Sequence, residues 1–505
     1  MELQNFILPS LVLLSTLTFL HIAKKILMTK NKKLPPGPYG FPIIGSLVTI
    51  GDRPHESLAN LSKTYGPLMT VKFGLINIVV ASSTEMAKEI LQKNDQAFLG
   101  RPIPDAVTAE KGYELSMAWL PGGPQWNKLR KICKSQIFSA QRLDLLQDLR
   151  HHMMDKMIEQ VDKACAAGEA VHIGRLVFGT TLNLLSNTMF SNDMMDPKSD
   201  EMRELKVLIG KIMELAGRPN VSDFFPFVKA FDLQGIRREI KVSYDRLHEL
   251  VDESIGRRMK RRRSNGSDRC GDFLDVLLDS TDQEKRGSEA LTHLDVILLL
   301  MDLFIGGTDT TTTTLEWVMT ELLHNPTILT KVKQELSQKI TQGKSIQEQD
   351  IPQLPYLEAI IKETMRMHPT APLLLPHRAE EEVEIRGYTI PKHTQIFVNA
   401  WSILRDNAYW NEPTIFKPER FLDSEIEFSG RDFSFTPFGT GRRICPGLNL
   451  GVRMVSLILA NLVHNFDWKL PNGMMSQDLD MNDKFGVTLQ KAEPLVAVPL
   501  RIERC

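Results

Sequence analysis

Residues 296–305 are apolar apart from Asp302, and this run limits the folds open to the chain more than any other segment. A helix that is hydrophobic on nearly all sides has to pass through a core, because no face of it suits water. The run is too short to cross a bilayer, which takes about 20 residues. It leads into Gly306, Gly307, Thr308, Asp309, Thr310 and Thr311. A glycine inside a helix costs about 1 kcal/mol relative to alanine, so a pair of them implies a backbone that is approached closely. Asp309 and Thr310 add a carboxyl and a hydroxyl where the helix is expected to open locally.

A core helix needs layers around it, and the sequence supplies them. Helical periodicity covers residues 83–91, 126–139, 143–166, 206–215, 237–263, 291–324 and 325–340, whereas alternating stretches are few: 68–73 and 76–81 around a Gly-Leu turn, then 382–385 and 395–398. The expectation is a mainly α fold with small β-sheets. No repeat and no second composition boundary divides it, so residues 41–505 read as one globular domain. With 42% hydrophobic residues and a formal net charge of −1, nothing favours nucleic acid as a partner. The basic run 257–263 ends a long helical pattern, where cations suit the helix C-terminus. It is expected to be a solvated helix end.

The N-terminus carries a different signal. Residues 6–23 are mostly apolar and are followed at once by Lys24, Lys25, Lys30, Lys32 and Lys33. Charge after the apolar segment, with Glu2 before it, does not fit a cleaved signal peptide. It fits one transmembrane helix with everything beyond it on the cytosolic side. The expected organisation is a membrane anchor at 1–23, a basic and proline-rich hinge at 24–40 stiffened by Pro35, Pro36 and Pro38, and the domain at 41–505.

Five cysteines, at 133, 165, 270, 445 and 505, form no C-x-x-C pair and no disulfide framework. Four read as inert thiols of a reducing compartment. Cys445 differs in its setting, Phe438-Gly439-Thr440-Gly441-Arg442-Arg443-Ile444-Cys445-Pro446-Gly447. The glycines permit tight turns and close approach to a flat ligand. The loop before the cysteine is placed to aim amide N–H groups at its sulfur, and Arg443 is placed to pair with a carboxylate of that ligand.

This segment resembles the haem-binding loop of the cytochrome P450 family, F-x-x-G-x-R-x-C-x-G, at every fixed position. Residues 306–311 resemble the distal-helix signature [A/G]-G-x-[D/E]-T-T of that family, with Gly306 where alanine is common, a change that widens the space above a haem. Glu363 and Arg366, with Arg420 in a P-E-R-F element, resemble the family's Glu–Arg–Arg brace. Trp126 and Arg130 match its W-x-x-x-R helix. The likeness spans the chain and is nearest to plant microsomal members, in particular the terpenoid oxidases that include geraniol hydroxylase and ferruginol synthase.

The resemblance implies haem b held through Cys445 as axial iron ligand, with dioxygen as co-substrate and electrons from NADPH through a separate NADPH-cytochrome P450 reductase. Trp126, Arg130, His377, Phe438, Arg443 and Gly447 are the implied haem-binding residues, with Arg378 competing with His377. Asp309 and Thr310 are the implied catalytic residues, serving proton relay and oxygen activation. Lys128, Lys131 and Lys134 are either a reductase-docking surface or ordinary solvated lysines. The implied substrate pocket is apolar: Trp119 and Leu120, Ile305 and Gly306, Ala371, Leu374 and Leu375, and Val487. It suits a hydrophobic small molecule. The implied reaction is hydroxylation of a plant specialised metabolite, a diterpenoid first and a monoterpenoid alcohol second, at the endoplasmic reticulum membrane. A haem-thiolate isomerase or dehydratase, or a non-enzymatic haem protein, is the rival of a different class. The intact Asp309–Thr310 pair disfavours it.

Overall fold

The computed structural model describes residues 33–191, 200–264, 270–281, 290–340 and 346–502. The expected anchor and most of the hinge lie outside the described residues. Among the described residues no helix is long and apolar enough to cross a membrane. Six helices frame the site: α1 (Pro124–Ile132), α2 (Ile173–Phe190), α3 (Ile236–Ser264), α4 (His293–His324), α5 (Pro355–Met367) and α6 (Leu448–Asn465).

The core-helix expectation is met by α4, which is buried along most of its length. Its start is fixed by a capping box. The Thr292 hydroxyl accepts from the Asp295 N–H, and the Asp295 carboxylate accepts from the Thr292 N–H, satisfying two donors left free at a helix start. Gln125 of α1 donates to the same carboxylate at 2.9 Å, tying the two helices. α2 packs most extensively against α4. A Cβ on Gly307 would stand 2.7 Å from Leu185 of α2, so this glycine permits close packing of the two helices.

The expected local opening of α4 is absent. The helix is continuous from His293 to His324. Thr308, Thr310, Thr311, Thr312 and Thr314 each donate their hydroxyl to the carbonyl four residues earlier. Such back-bonding occupies a second lone pair of each carbonyl without removing the helical bond, so threonines here decorate the helix and leave it intact.

The sequence pattern gave no sign of α2, because nearly every residue of it is buried and a helix surrounded on all sides carries no amphipathic period. The strands follow the alternation closely. β1 (Leu68–Phe73) and β2 (Ile76–Ala81) form a hairpin around Gly74, which has φ +56°. β3 (His377–Arg378) and β4 (Gln395–Val398) complete the sheet in the order β1-β2-β4-β3, with β2 parallel to β4 and His377 opposite Ile396. His377 therefore stands on an edge strand.

The basic run 257–263 meets its expectation at Arg257, Lys260, Arg261 and Arg263, which are exposed, and departs from it at two arginines. Arg258 is only 4% exposed, lies 2.6 Å from Asp272 and 2.9 Å from Asp275, and donates to the Phe190 carbonyl. Arg262 reaches Asp275 and Asp279. Two arginines of the run clamp α3 to the helix Phe273–Asp279 and to the end of α2. Periodicity could not show this, because both acids come from another helix.

Candidate active site

Cys445 sits at a loop closed by its own N–H, which donates to the Phe438 carbonyl at 3.0 Å. Gly441, at φ +71°, is required twice over, because a Cβ there would lie 2.2 Å from the Leu91 carbonyl. The donors that reach the Cys445 sulfur are the backbone N–H groups of Gly447 and Leu448. They follow the cysteine, where the sequence suggested a preceding loop. Leu448 opens α6, so the thiol stands at a helix N-terminus, a setting that favours a thiolate. Burial pushes the thiol pKa up; these N–H groups and the Arg130 charge pull it down.

Beside the loop lies a cluster of cations. Arg443 stacks 4.7 Å from the Trp126 ring centre and Arg130 lies 5.5 Å from it. Arg443 donates to the carbonyls of Leu99 and Leu120. Arg101, 5% exposed, donates to those of Leu375 and Pro376, and its Nε is buried without a partner. Among the described residues none of the three guanidiniums forms an ion pair. Burial lowers all three: Arg101 to about 9, aided by Arg443, and Arg443 to about 10, aided by Arg130. His377 donates from Nδ1 to the Phe98 carbonyl at 2.7 Å, since a carbonyl oxygen can only accept. Its pKa is pushed down to about 3 by burial and by the Arg101 and Arg443 charges, so its Nε2 carries no proton to offer. Arg378 is engaged with Glu380 at 3.0 Å.

The sequence brought Trp126, Arg130, Arg443 and His377 to this place and missed Arg101. A lone arginine before a proline carries no pattern; only the fold puts it beside Arg443. One buried and two half-buried guanidiniums, with a stray N–H on Arg101 and no counter-ion among the described residues, suit the carboxylates of a flat cofactor. The residues present therefore fit a haem, whose propionates the arginines would hold and whose iron Cys445 would bind.

On α4, Gly306 is exposed and Ile305 and Thr310 are half-buried although the helix runs through the core. A Cβ on Gly306 would meet nothing within 4 Å, so this stretch borders open space, as its replacement of alanine implied. Thr310 donates to the Gly306 carbonyl at 2.8 Å. Asp309 turns to a hairpin of β5 (Asp483–Lys484) and β6 (Gln490–Lys491), where its carboxylate accepts from Thr488 at 2.6 Å and Gln490 at 3.0 Å. Burial raises its pKa and those two bonds oppose the rise. Neither partner was expected from sequence.

Of the remaining expected pocket residues, Trp119, Ala371, Leu374 and Val487 are half-buried, Leu375 is exposed and Leu120 is buried. Leu374 has φ +50°, and its N–H closes a turn onto Ala371. A leucine in the left-handed region is strained, and such strain gathers at functional sites. Phe438 is half-buried against Phe428. The Glu363–Arg366–Arg420 group assembles as expected. Glu363 accepts from Arg366 at 2.7 and 2.9 Å, from Arg420 at 3.0 Å and from the Lys417 N–H.

Comparison with known proteins agrees with this geometry. A family model described as Cytochrome P450 matches residues 35–497. The chain is 49% identical to a geraniol 8-hydroxylase of Catharanthus roseus, covering 98% of this chain and 99% of that protein. It is 44% identical to a ferruginol synthase of Isodon rubescens, covering 98% and 100%. It is also 44% identical to a geranylhydroquinone 3''-hydroxylase of Arnebia euchroma, covering 95% and 96%. Among solved structures, a zebrafish cytochrome P450 with progesterone superimposes with a TM-score of 0.76 at 25% identity, covering 88% of this chain and 99% of that one. The chain belongs to the cytochrome P450 family. With membership come haem, dioxygen and NADPH-derived electrons delivered by a reductase.

Proposed function

We propose that this monooxygenase hydroxylates a hydrophobic terpenoid of plant specialised metabolism at the endoplasmic reticulum membrane. The observation that carries the reading is the pairing of a helix-capped cysteine, flanked by three unpaired guanidiniums, with an open stretch of α4 at Gly306. Cys445 would hold the iron through its sulfur, and Arg101, Arg130 and Arg443 would hold the propionates, with Trp126 as a stacking platform for Arg443. His377 braces the Phe98 backbone; it donates to a propionate only if that charge restores its second proton. Bound through a thiolate, the haem supplies oxygen activation.

The chain's own groups then divide the remaining work. Thr310 spends its proton on the Gly306 carbonyl and keeps its oxygen lone pairs for a donor in the open space. Asp309 holds a proton at its carboxyl more readily than an exposed aspartate, and Thr488 and Gln490 keep it aimed at the hairpin, the direction from which protons are resupplied. Ile305, Leu374, Leu375, Val487, Trp119 and Leu120 exclude water and shape the substrate's seat. Lys131 and Lys134 are exposed on the far end of α1 and the turn after it, beside the Cys445 loop, where a reductase would dock.

For the substrate, the order drawn from sequence is reversed. A monoterpenoid alcohol comes first, supported by the 49% identity to a geraniol 8-hydroxylase against 44% to the ferruginol synthase. A diterpenoid is the second reading, favoured by the room at Gly306. Expression in yeast microsomes with a plant reductase, fed geraniol and an abietane diterpene, tests both. Turnover of neither, with good conversion of phenylpropanoids or alkaloids, would overturn the terpenoid reading. Cys445→Ser is expected to abolish the thiolate-type absorption of the reduced carbon monoxide complex; its persistence would remove Cys445 as the ligand.

A further inference from the structure

His55 is 0% exposed, yet neither nitrogen of its ring has a hydrogen-bond partner among the described residues. A buried polar group left unmatched is costly, and it marks a place for a water or an ion. The ring is held too firmly to turn elsewhere for a partner. It stacks on Phe485 with centres 5.6 Å apart, meets the edge of Trp401 at 5.4 Å, and its backbone carbonyl accepts from Asn399 at 2.8 Å. Its Nε2 faces two carboxylates, 3.9 Å from Glu56 Oε1 and 3.9 Å from Asp483 Oδ2. The three ligand atoms lie within 4.8 Å of one another.

Such distances are too long for hydrogen bonds and suit an ion set between the groups. A zinc-type ion takes imidazole nitrogen and carboxylate oxygen at about 2.0–2.2 Å, which puts neighbouring ligand atoms about 3.4 Å apart. Small turns of the Glu56 and Asp483 side chains close the gap, and both are half-buried rather than locked in the core. Arg53 pairs with the same acids, 3.1 Å from Glu56 Oε1 and 2.8 Å from Asp483 Oδ1. Those bonds leave Glu56 Oε2 and Asp483 Oδ2 for a metal, and an outer hydrogen bond orients a ligating carboxylate. Burial first, then the Arg53 and Arg405 charges, hold the His55 pKa down at about 4 against the pull of Asp483. The ring is therefore neutral, the form that ligates. An imidazole in the set favours zinc-like ions over magnesium or calcium, which prefer oxygen alone.

We propose that His55, Glu56 and Asp483 bind a divalent transition metal of the zinc kind, which fastens the helix Pro54–Tyr65 to the β5–β6 hairpin. Two ligands open that helix and the third opens β5, so the site joins opposite ends of the chain. Only the folded form brings the three together, and binding therefore stabilises it. The same hairpin carries Thr488 and Gln490, which hold Asp309. A metal at Asp483 secures the segment that aims that acid.

The test uses purified holoenzyme, stripped with a chelator, dialysed to equilibrium against micromolar free zinc and then analysed for metal. Glu56→Gln and Asp483→Asn keep the shape of the site and each remove one charged ligand. Each is expected to retain one zinc fewer per chain than the wild type, its affinity at this site down about a hundredfold. Zinc should raise the wild-type melting temperature in a saturable way and leave both variants unmoved, with the reduced carbon monoxide spectrum intact in all three. Equal zinc content in the wild type and both variants overturns the proposal. Variants that melt lower without zinc but keep that content assign these residues a structural role alone, which also overturns it. A wild type that retains no zinc does so without recourse to any variant, and a bridging water then answers for His55. Should one variant misfold, the other decides beside the wild type. Release of the zinc by millimolar magnesium or calcium overturns the transition-metal class.

Discussion

The arginines around Glu363 and those around Cys445 differ in one respect. Around Glu363, the Arg366 and Arg420 guanidiniums meet a carboxylate, and Arg366 also donates to the carbonyls of Leu404 and Pro413. Arg366 and Glu363 are both fully buried, and their charges cancel within the fold. Around Cys445, Arg101, Arg130 and Arg443 meet carbonyls and a tryptophan face but no carboxylate. The first cluster is complete as a protein. The second is complete only when something anionic joins it. Burying a charge is costly unless it is paired, so an unpaired cluster marks a place kept for a ligand and a paired one marks a brace.

That contrast can be broken at either end. Glu363→Ala removes the acid from the closed cluster and leaves Arg366 buried and uncompensated, which should destabilise the fold by about 3–5 kcal/mol. Thermal unfolding of the holoprotein, or its failure to accumulate, measures this. Arg101→Met acts on the open cluster and should do the opposite kind of damage. Secondary structure by circular dichroism should be kept, while haem passes to an acceptor apoprotein about tenfold faster, as expected for one charge-assisted hydrogen bond. A variant that unfolds instead would place Arg101 with the braces.

Two acids extend the contrast with the sign reversed: Glu110, 6% exposed, and Asp302 of α4, half-buried, pair with no cation among the described residues. Their pKa values lie above those of exposed carboxyls, so the folded state binds these protons more tightly than the unfolded chain. The stability they permit is present at low pH and is lost as pH rises from about 4 through 6 to 8. Glu110→Gln should gain on the wild type across the upper part of that window, read as melting temperature against pH. A constant difference from pH 5 to 8.5 would mean that Glu110 does not titrate there. Arg378→Ala is the small end of the scale. Its pair with Glu380 is about one-third exposed on both sides, and such pairs are worth about 0–1 kcal/mol. Haem retention should not change.

Much of this was legible in the residues. The hairpin β1–β2 was legible from two short β-rich runs around a Gly-Leu turn, and α4 from its apolar run. Cys445, Trp126, Arg130 and the Glu363 triad were each marked by likeness to the family's motifs, although Arg420 lies 57 residues from Glu363. What spacing could not show were contacts made across the fold. α2 has no period because it is buried all round. Arg258 was read as solvated because Asp272 and Asp275 belong to another helix. The donors to the Cys445 sulfur, Gly447 and Leu448, are backbone groups without a sequence signature.

The sequence by itself determined the class of fold and singled out the Cys445 thiol and the acid–hydroxyl pair at Asp309 and Thr310. The tertiary structure decided which charges remain unpaired. It brought Arg101 beside Arg443 and turned Asp309 to Thr488 and Gln490. The physical reason is that pairing and desolvation depend on distances across the folded chain, here over 342 positions between Arg101 and Arg443, which no local pattern records.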